Sequence, residues 1–173
     1  DCTLRDGGYV NDWNFGEKTI NYILNKLVLS KVDLIECGYL TQKKYTSVEY
    51  TLFNGFDSLE NILPRKLENQ EFAIMINDGE YDIDAIPYAS SNSPVIRACF
   101  HKNTLDEAIT YCKQLIDKKY RVFVQPMASL NYSDTEFLCL IKKVNDIRPK
   151  CFYLIIRIMT SFLIRYAVRT KEY

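Results

Sequence analysis

Short apolar, strand-like runs alternate with longer helical patterns along this chain, and that alternation constrains the fold more than any other feature. Six runs stand out, at residues 1–4, 32–37 (VDLIEC), 72–76 (FAIMI), 94–100 (PVIRACF), 120–125 (YRVFVQ) and 151–156. Between the first two, Glu17–Leu29 places Ile20, Ile23, Leu24, Leu27 and Val28 at helical spacing. Thr104 with Glu107, and Ser133 with Glu136, read as capping boxes opening helices over 105–118 and to about residue 147, where Arg148–Pro149 ends the second. Asp82–Tyr88 reads as a short helix. Residues 39–70 are irregular, their Tyr45, Tyr50, Phe53 and Phe56 best taken as packing residues, and Gly38 as the end of the second run. Strands joined through helices in units of roughly 25–35 residues imply βαβ crossovers and a parallel sheet. Periodicity leaves open a doubly wound sheet or a (β/α)₈ barrel. A full barrel takes ~250 residues, so six strands in this length make about three quarters of one.

In parallel α/β proteins the chemistry sits at the carboxyl ends of strands. Those ends carry Arg5–Asp6–Gly7–Gly8–Tyr9, Glu36–Cys37–Gly38–Tyr39, Asn77–Asp78, His101–Lys102–Asn103 and Gln125–Pro126–Met127. Arginine, carboxylates and the lone histidine converge on one rim. Each would need a partner if buried, so packing alone explains the set poorly.

The opening run Asp1-Cys2-Thr3-Leu4-Arg5-Asp6-Gly7-Gly8 resembles the D-x-T-L-R-D-G signature of the DRE-TIM metallolyases, and Leu34-Ile35-Glu36-Cys37-Gly38 resembles that family's second-strand element. These enzymes include hydroxymethylglutaryl-CoA lyase, the isopropylmalate and homocitrate synthases, and 4-hydroxy-2-oxovalerate aldolase-like proteins, to which the run DCTLRDGGYVNDWNF is most similar. The resemblance spans residues 1–155 and implies a partial (β/α)₈ barrel of about six parallel β/α units. It implies a metal-dependent aldolase or lyase that breaks or forms a carbon–carbon bond beside the carbonyl of an oxo acid, through an enolate. Asp6 would be a ligand to Mg²⁺ or Mn²⁺, hard ions suited to a carboxylate. Arg5 would face the substrate and stabilise the enolate oxygen, and Glu36 would orient Arg5 or a bound water. Tyr9 and His101 are further catalytic candidates, and Asp78 and Gln125 join Arg5 as candidate substrate-binding residues.

Three departures qualify the resemblance. The family draws two more metal ligands from a His-x-His, whereas this chain has one histidine, His101. Where aldolase members carry a general acid–base histidine, position 9 is Tyr, which at a pKa of ~10 serves more readily as an acid. The sixth strand should run into Asp and Gly, but residues 154–173 contain neither. That segment, 156–173 in particular, reads either as a frameshifted tail or as a variant helix. Two further readings stay open: an inactive barrel remnant that associates with copies of itself through exposed strand edges, and a doubly wound sheet binding phosphate at Gly7–Gly8.

Composition narrows the partners. Lys plus Arg and Asp plus Glu balance at 22 each, which argues against nucleic acid. The apolar stretch 152–168 carries Arg157 and Arg165 and falls short of ~20 residues, which argues against a membrane span. Six cysteines without C-x-x-C spacing, and no secretory leader, are expected of reduced thiols in a cytoplasmic protein.

Overall fold

The computed structural model describes residues 1–42, 47–157 and 163–168, with 155–157 and 163–168 described by backbone alone. The chain forms two compact units, Asp1–Ile86 and Pro87–Tyr173.

In the first unit, β1 (Leu34–Leu40) lies between β2 (Leu52–Phe53) and β3 (Glu71–Asn77), all parallel. Helix α2 (Glu17–Leu29) spans the predicted residues and buries Ile20, Leu24 and Val28, the i, i+4, i+8 stripe of one helical face. Its end is tied to the sheet by Gln70, whose amide donates to the carbonyls of Val28 and Val32. The irregular stretch holds β2 and a short helix α3 (Phe56–Glu60), with Phe53 and Phe56 buried as packing residues. Tyr45 lies outside the described residues.

Three expectations fail here. Residues 1–4 do not form a strand. Asp1 alone makes the two bonds of a parallel bridge, donating to Leu34 O and accepting from Glu36 N, and Thr3–Asp6 then coils into a single helical turn, α1. The Asp1 carboxylate takes the Thr3 amide, a local bond that competes with a strand ladder. Gly38 does not end its strand. Glu36 pairs with Ala73 but Tyr39 with Met75, so β1 carries one extra residue at Cys37–Gly38, a β-bulge. Only glycine fits there, because φ is +145° and a Cβ would lie 2.0 Å from Thr51 O. Asp82–Tyr88 forms a 3₁₀ turn over Ile83–Ala85 in place of a helix.

In the second unit β4 (Val95–Phe100), β5 (Val122–Pro126) and β6 (Cys151–Arg157) are parallel, joined through α4 (Leu105–Asp117) and α5 (Asp134–Ile147). Ala108, Cys112 and Leu115 of α4, with Leu140 and Val144 of α5, face inward. The Ser133–Glu136 capping box forms, its Ser133 extended at φ −66°, ψ 163°. The Thr104 box does not. A 3₁₀ turn at Lys102–Thr104 leaves Thr104 at ψ 24°, outside the extended range a cap needs, and its hydroxyl donates back to His101 O. Of the tail, residues 163–168 form β7, antiparallel to β6 from Arg157↔Leu163 to Phe152↔Val168, where a helix was one expectation.

The fold class is as expected: α/β, six parallel strands with interleaved helices, as in part of a (β/α)₈ barrel. No helix among the described residues is long and apolar enough to cross a membrane.

Candidate active site

Arg5 stands at the centre of a cluster built by α1 and the upper half of β1. It is 6% exposed, and its Nε donates to Glu36 Oε2 at 2.6 Å, with Glu36 itself 1% exposed. Its Nη1 lies 2.5 Å from Asp6 Oδ1 and donates to the Tyr39 hydroxyl at 3.4 Å. Nε and Nη1 make these contacts, and Nη2 takes no part in them. Burial disfavours the Arg5 charge, but the Glu36 carboxylate more than offsets it and holds the guanidinium above its ordinary pKa. Arg5 is a fixed cation.

Glu36 and Tyr39 are three residues apart, a spacing that puts side chains on opposite faces of a regular strand. The bulge at Gly38 adds one residue and reverses the phase, so both reach Arg5. The sequence put Tyr39 in the set at the carboxyl end of the second run but gave it no role. Burial and the hydrogen bond with Tyr9 push the Tyr39 phenol above its usual range, against the pull of Arg5. Burial, reinforced by the Glu36 charge, raises the Cys37 thiol in the same way, which leaves it a neutral core group.

Trp13 clamps this loop. Its indole donates to Arg5 O at 2.9 Å, and its ring meets those of Tyr9 and Tyr39 edge-on at 4.9 and 5.6 Å. Asp12 and Trp13 both take left-handed φ, 53° and 60°, unusual for a bulky aromatic and kept only where surrounding contacts enforce it. Thr51 supplies one, donating its amide to Trp13 O while its hydroxyl holds Leu4 O. A Cβ on Gly8 would fall 2.1 Å from the indole, so glycine at 8 is what lets the ring lie down.

The structure therefore brings Arg5, Asp6 and Glu36 together, with Tyr9 joined through Tyr39 at 3.1 Å. Asp78, in the turn after β3, is half-buried and makes no recorded contact with this cluster. In the second unit, His101 is exposed and lines an open groove of about 410 Å³ with Lys102, Asn103, Met127, Ala128 and Asn131. Gln125 is buried, its amide oxygen accepting from the Arg97 guanidinium, which also lies 5.1 Å from the Tyr153 ring.

The donor set around Asp6 falls short of a Mg²⁺ or Mn²⁺ site. Asp6 Oδ1 is in the Arg5 ion pair and Oδ2 accepts from the Cys2 thiol at 3.2 Å. Among the described residues no group of three His, Cys, Asp or Glu is placed to hold a metal. Asp6 contributes one hard ligand where such ions take about six.

No family model matches this chain, and neither does any curated protein. Among solved structures it is similar, at 25% identity and TM-score 0.59, to the "N-terminal domain of a putative aldolase from Bacteroides vulgatus". The likeness covers 88% of this chain and 52% of that one, so the chain spans about half the length of that structure and has an aldolase-like fold.

Proposed function

We propose that the Arg5 cluster is the enolate-binding part of an aldolase- or lyase-type site acting on an oxo acid. The observation that carries this reading is a buried arginine held at Nε by Glu36 and at Nη1 by Asp6, with Nη2 left out of those contacts. Removing a proton or a carbon–carbon bond beside a carbonyl puts negative charge on the carbonyl oxygen. A preorganised cation stabilises that charge without reorganising, which is where such sites gain most of their rate. Tyr9, 66% exposed beside the cluster, would exchange a proton with the substrate. The likeness to the aldolase domain supports the same reading. Asp6 would be one of several ligands to a divalent ion, the others lying outside the donor set described above.

Oxalate, a planar mimic of the pyruvate enolate, tests the reading without turnover. Titrated into the chain, it is expected to shift the Arg5 Nε–H resonance saturably, and Arg5→Met should abolish binding. Binding that survives Arg5→Met overturns the proposal. On 4-hydroxy-2-oxo acids, followed by coupled pyruvate detection, the chain alone is expected to give no metal-dependent turnover, because Asp6 is one ligand. Turnover abolished by Asp6→Asn would show that a metal site assembles from ligands beyond it.

A second reading, a barrel fragment without catalysis of its own, is favoured by the same donor count around Asp6. Absence of oxalate binding would support it.

A further inference from the structure

The hydroxyls of Tyr39 and Tyr9 lie 3.1 Å apart, and either oxygen could be the donor by geometry alone. Their neighbours decide it. Tyr39 is 5% exposed, and the other recorded contact of its oxygen is Arg5 Nη1, a guanidinium N–H that can only donate. The Tyr39 oxygen is therefore an acceptor toward Arg5. Its own proton needs an acceptor, and the Tyr9 oxygen is the one within reach; a buried hydroxyl proton left unpaired would be costly. Tyr9 has accepted, the residue is 66% exposed, and its own O–H makes no further bond to the described residues of the protein.

We infer that Tyr39 is a positioning residue that gives the Arg5–Tyr39–Tyr9 chain one direction, so that Tyr9 faces the substrate as a proton donor and not as an acceptor. This rests on the enolate reading above and deepens it. In the transfer, the Tyr9 O–H bond breaks as a C–H bond forms on the enolate carbon. The enolate C=C pair makes the new C–H bond as C=O re-forms, the O–H pair stays on the Tyr9 oxygen, which keeps the Tyr39 hydrogen bond, and water reprotonates that oxygen. The bulge at Gly38 belongs to the same device, because without its phase reversal Tyr39 would face away from Arg5.

The test uses the 173-residue chain labelled with ¹³Cζ-tyrosine, in mixed H₂O and D₂O, where a slowly exchanging hydroxyl splits its own Cζ signal. The expected result is one protected hydroxyl on Tyr39, assigned by its loss in Tyr39→Phe, and none on Tyr9. In Tyr9→Phe the Tyr39 hydroxyl should exchange about tenfold faster, the effect of losing one hydrogen bond of ordinary net strength. Protection on Tyr9 in place of Tyr39, or a Tyr39 rate unchanged in Tyr9→Phe, overturns the inference. Both variants keep the aromatic ring, and an unchanged backbone amide spectrum separates lost polarity from lost fold. No substrate enters the measurement, so a failed oxalate titration would sink the enolate reading and leave the polarity result standing.

Discussion

Arg5 and Arg97 are buried to the same degree, 6% exposed each, yet different chemistry holds them. Arg5 is gripped by Glu36 and Asp6, and the Glu36 carboxylate keeps its charge fixed. Among its contacts, Arg97 meets the amide oxygen of Gln125 and the face of Tyr153, a neutral dipole and a ring quadrupole that each attract the cation more weakly than a carboxylate does. The first arrangement is an electrostatic clamp that fails when one acid is removed. The second should lose strength gradually.

The sharpest break is Glu36→Gln, which leaves a buried guanidinium short of its deepest carboxylate. It should cost about 3 kcal/mol, read as a lowered urea midpoint, since breaking a buried pair strands a charge. A loss under about 1 kcal/mol would mean that Asp6 alone suffices and that the clamp is no clamp. Gly38→Ala comes next, at about 2–3 kcal/mol, from strain at φ +145° and the clash with Thr51 O. It should also detach Tyr39 from Arg5 while Glu36 stays bonded, visible as faster exchange of Arg5 Nη protons. Gln125→Ala should cost about 2 kcal/mol, the range for one hydrogen bond to a charged group. If it costs as much as Glu36→Gln, the contrast between the two arginines collapses.

The smallest effect concerns an exposed pair. Lys102 Nζ sits 2.7 Å from Glu136 Oε2, and this hydrogen bond, with those from Ser133, lowers the Glu136 carboxylate to about 2 from 4.5. A folded pKa below the unfolded one stabilises above the unfolded value, so this contribution is present above about pH 4.5 and lost as pH falls toward about 2. Glu136→Gln should flatten stability against pH in that window. Salt should weaken the wild-type effect there and leave the cost of Glu36→Gln nearly untouched, because solvent screens only the exposed pair.

Local rules carried the helices well. The i, i+4 stripe of Glu17–Leu29 and the Ser133–Glu136 box each needed only neighbours in sequence. They failed where a competing contact, near or far in sequence, decided the backbone. Residues 1–4 read as a strand, but the carboxylate of Asp1 and the reach of Arg5 to Glu36 accompany a helical turn there instead. Thr104 and Glu107 had the right spacing, yet the 3₁₀ turn before them spent the hydroxyl on His101. Of the candidate site, Arg5, Asp6 and Glu36 were legible as charges that needed partners. Tyr39 and Trp13 were not, because one depends on a bulge that reverses strand phase and the other on left-handed backbone angles at positions without glycine.

Trp13 is the sole tryptophan in the sequence, and it touches Tyr9, Tyr39 and the Arg5 carbonyl at once. Its emission therefore reports from one place only. A ligand that orders or displaces Tyr9, or a change that loosens the Arg5 loop, alters quenching at this indole with no label added. The protein carries its own optical gauge of the state of the site.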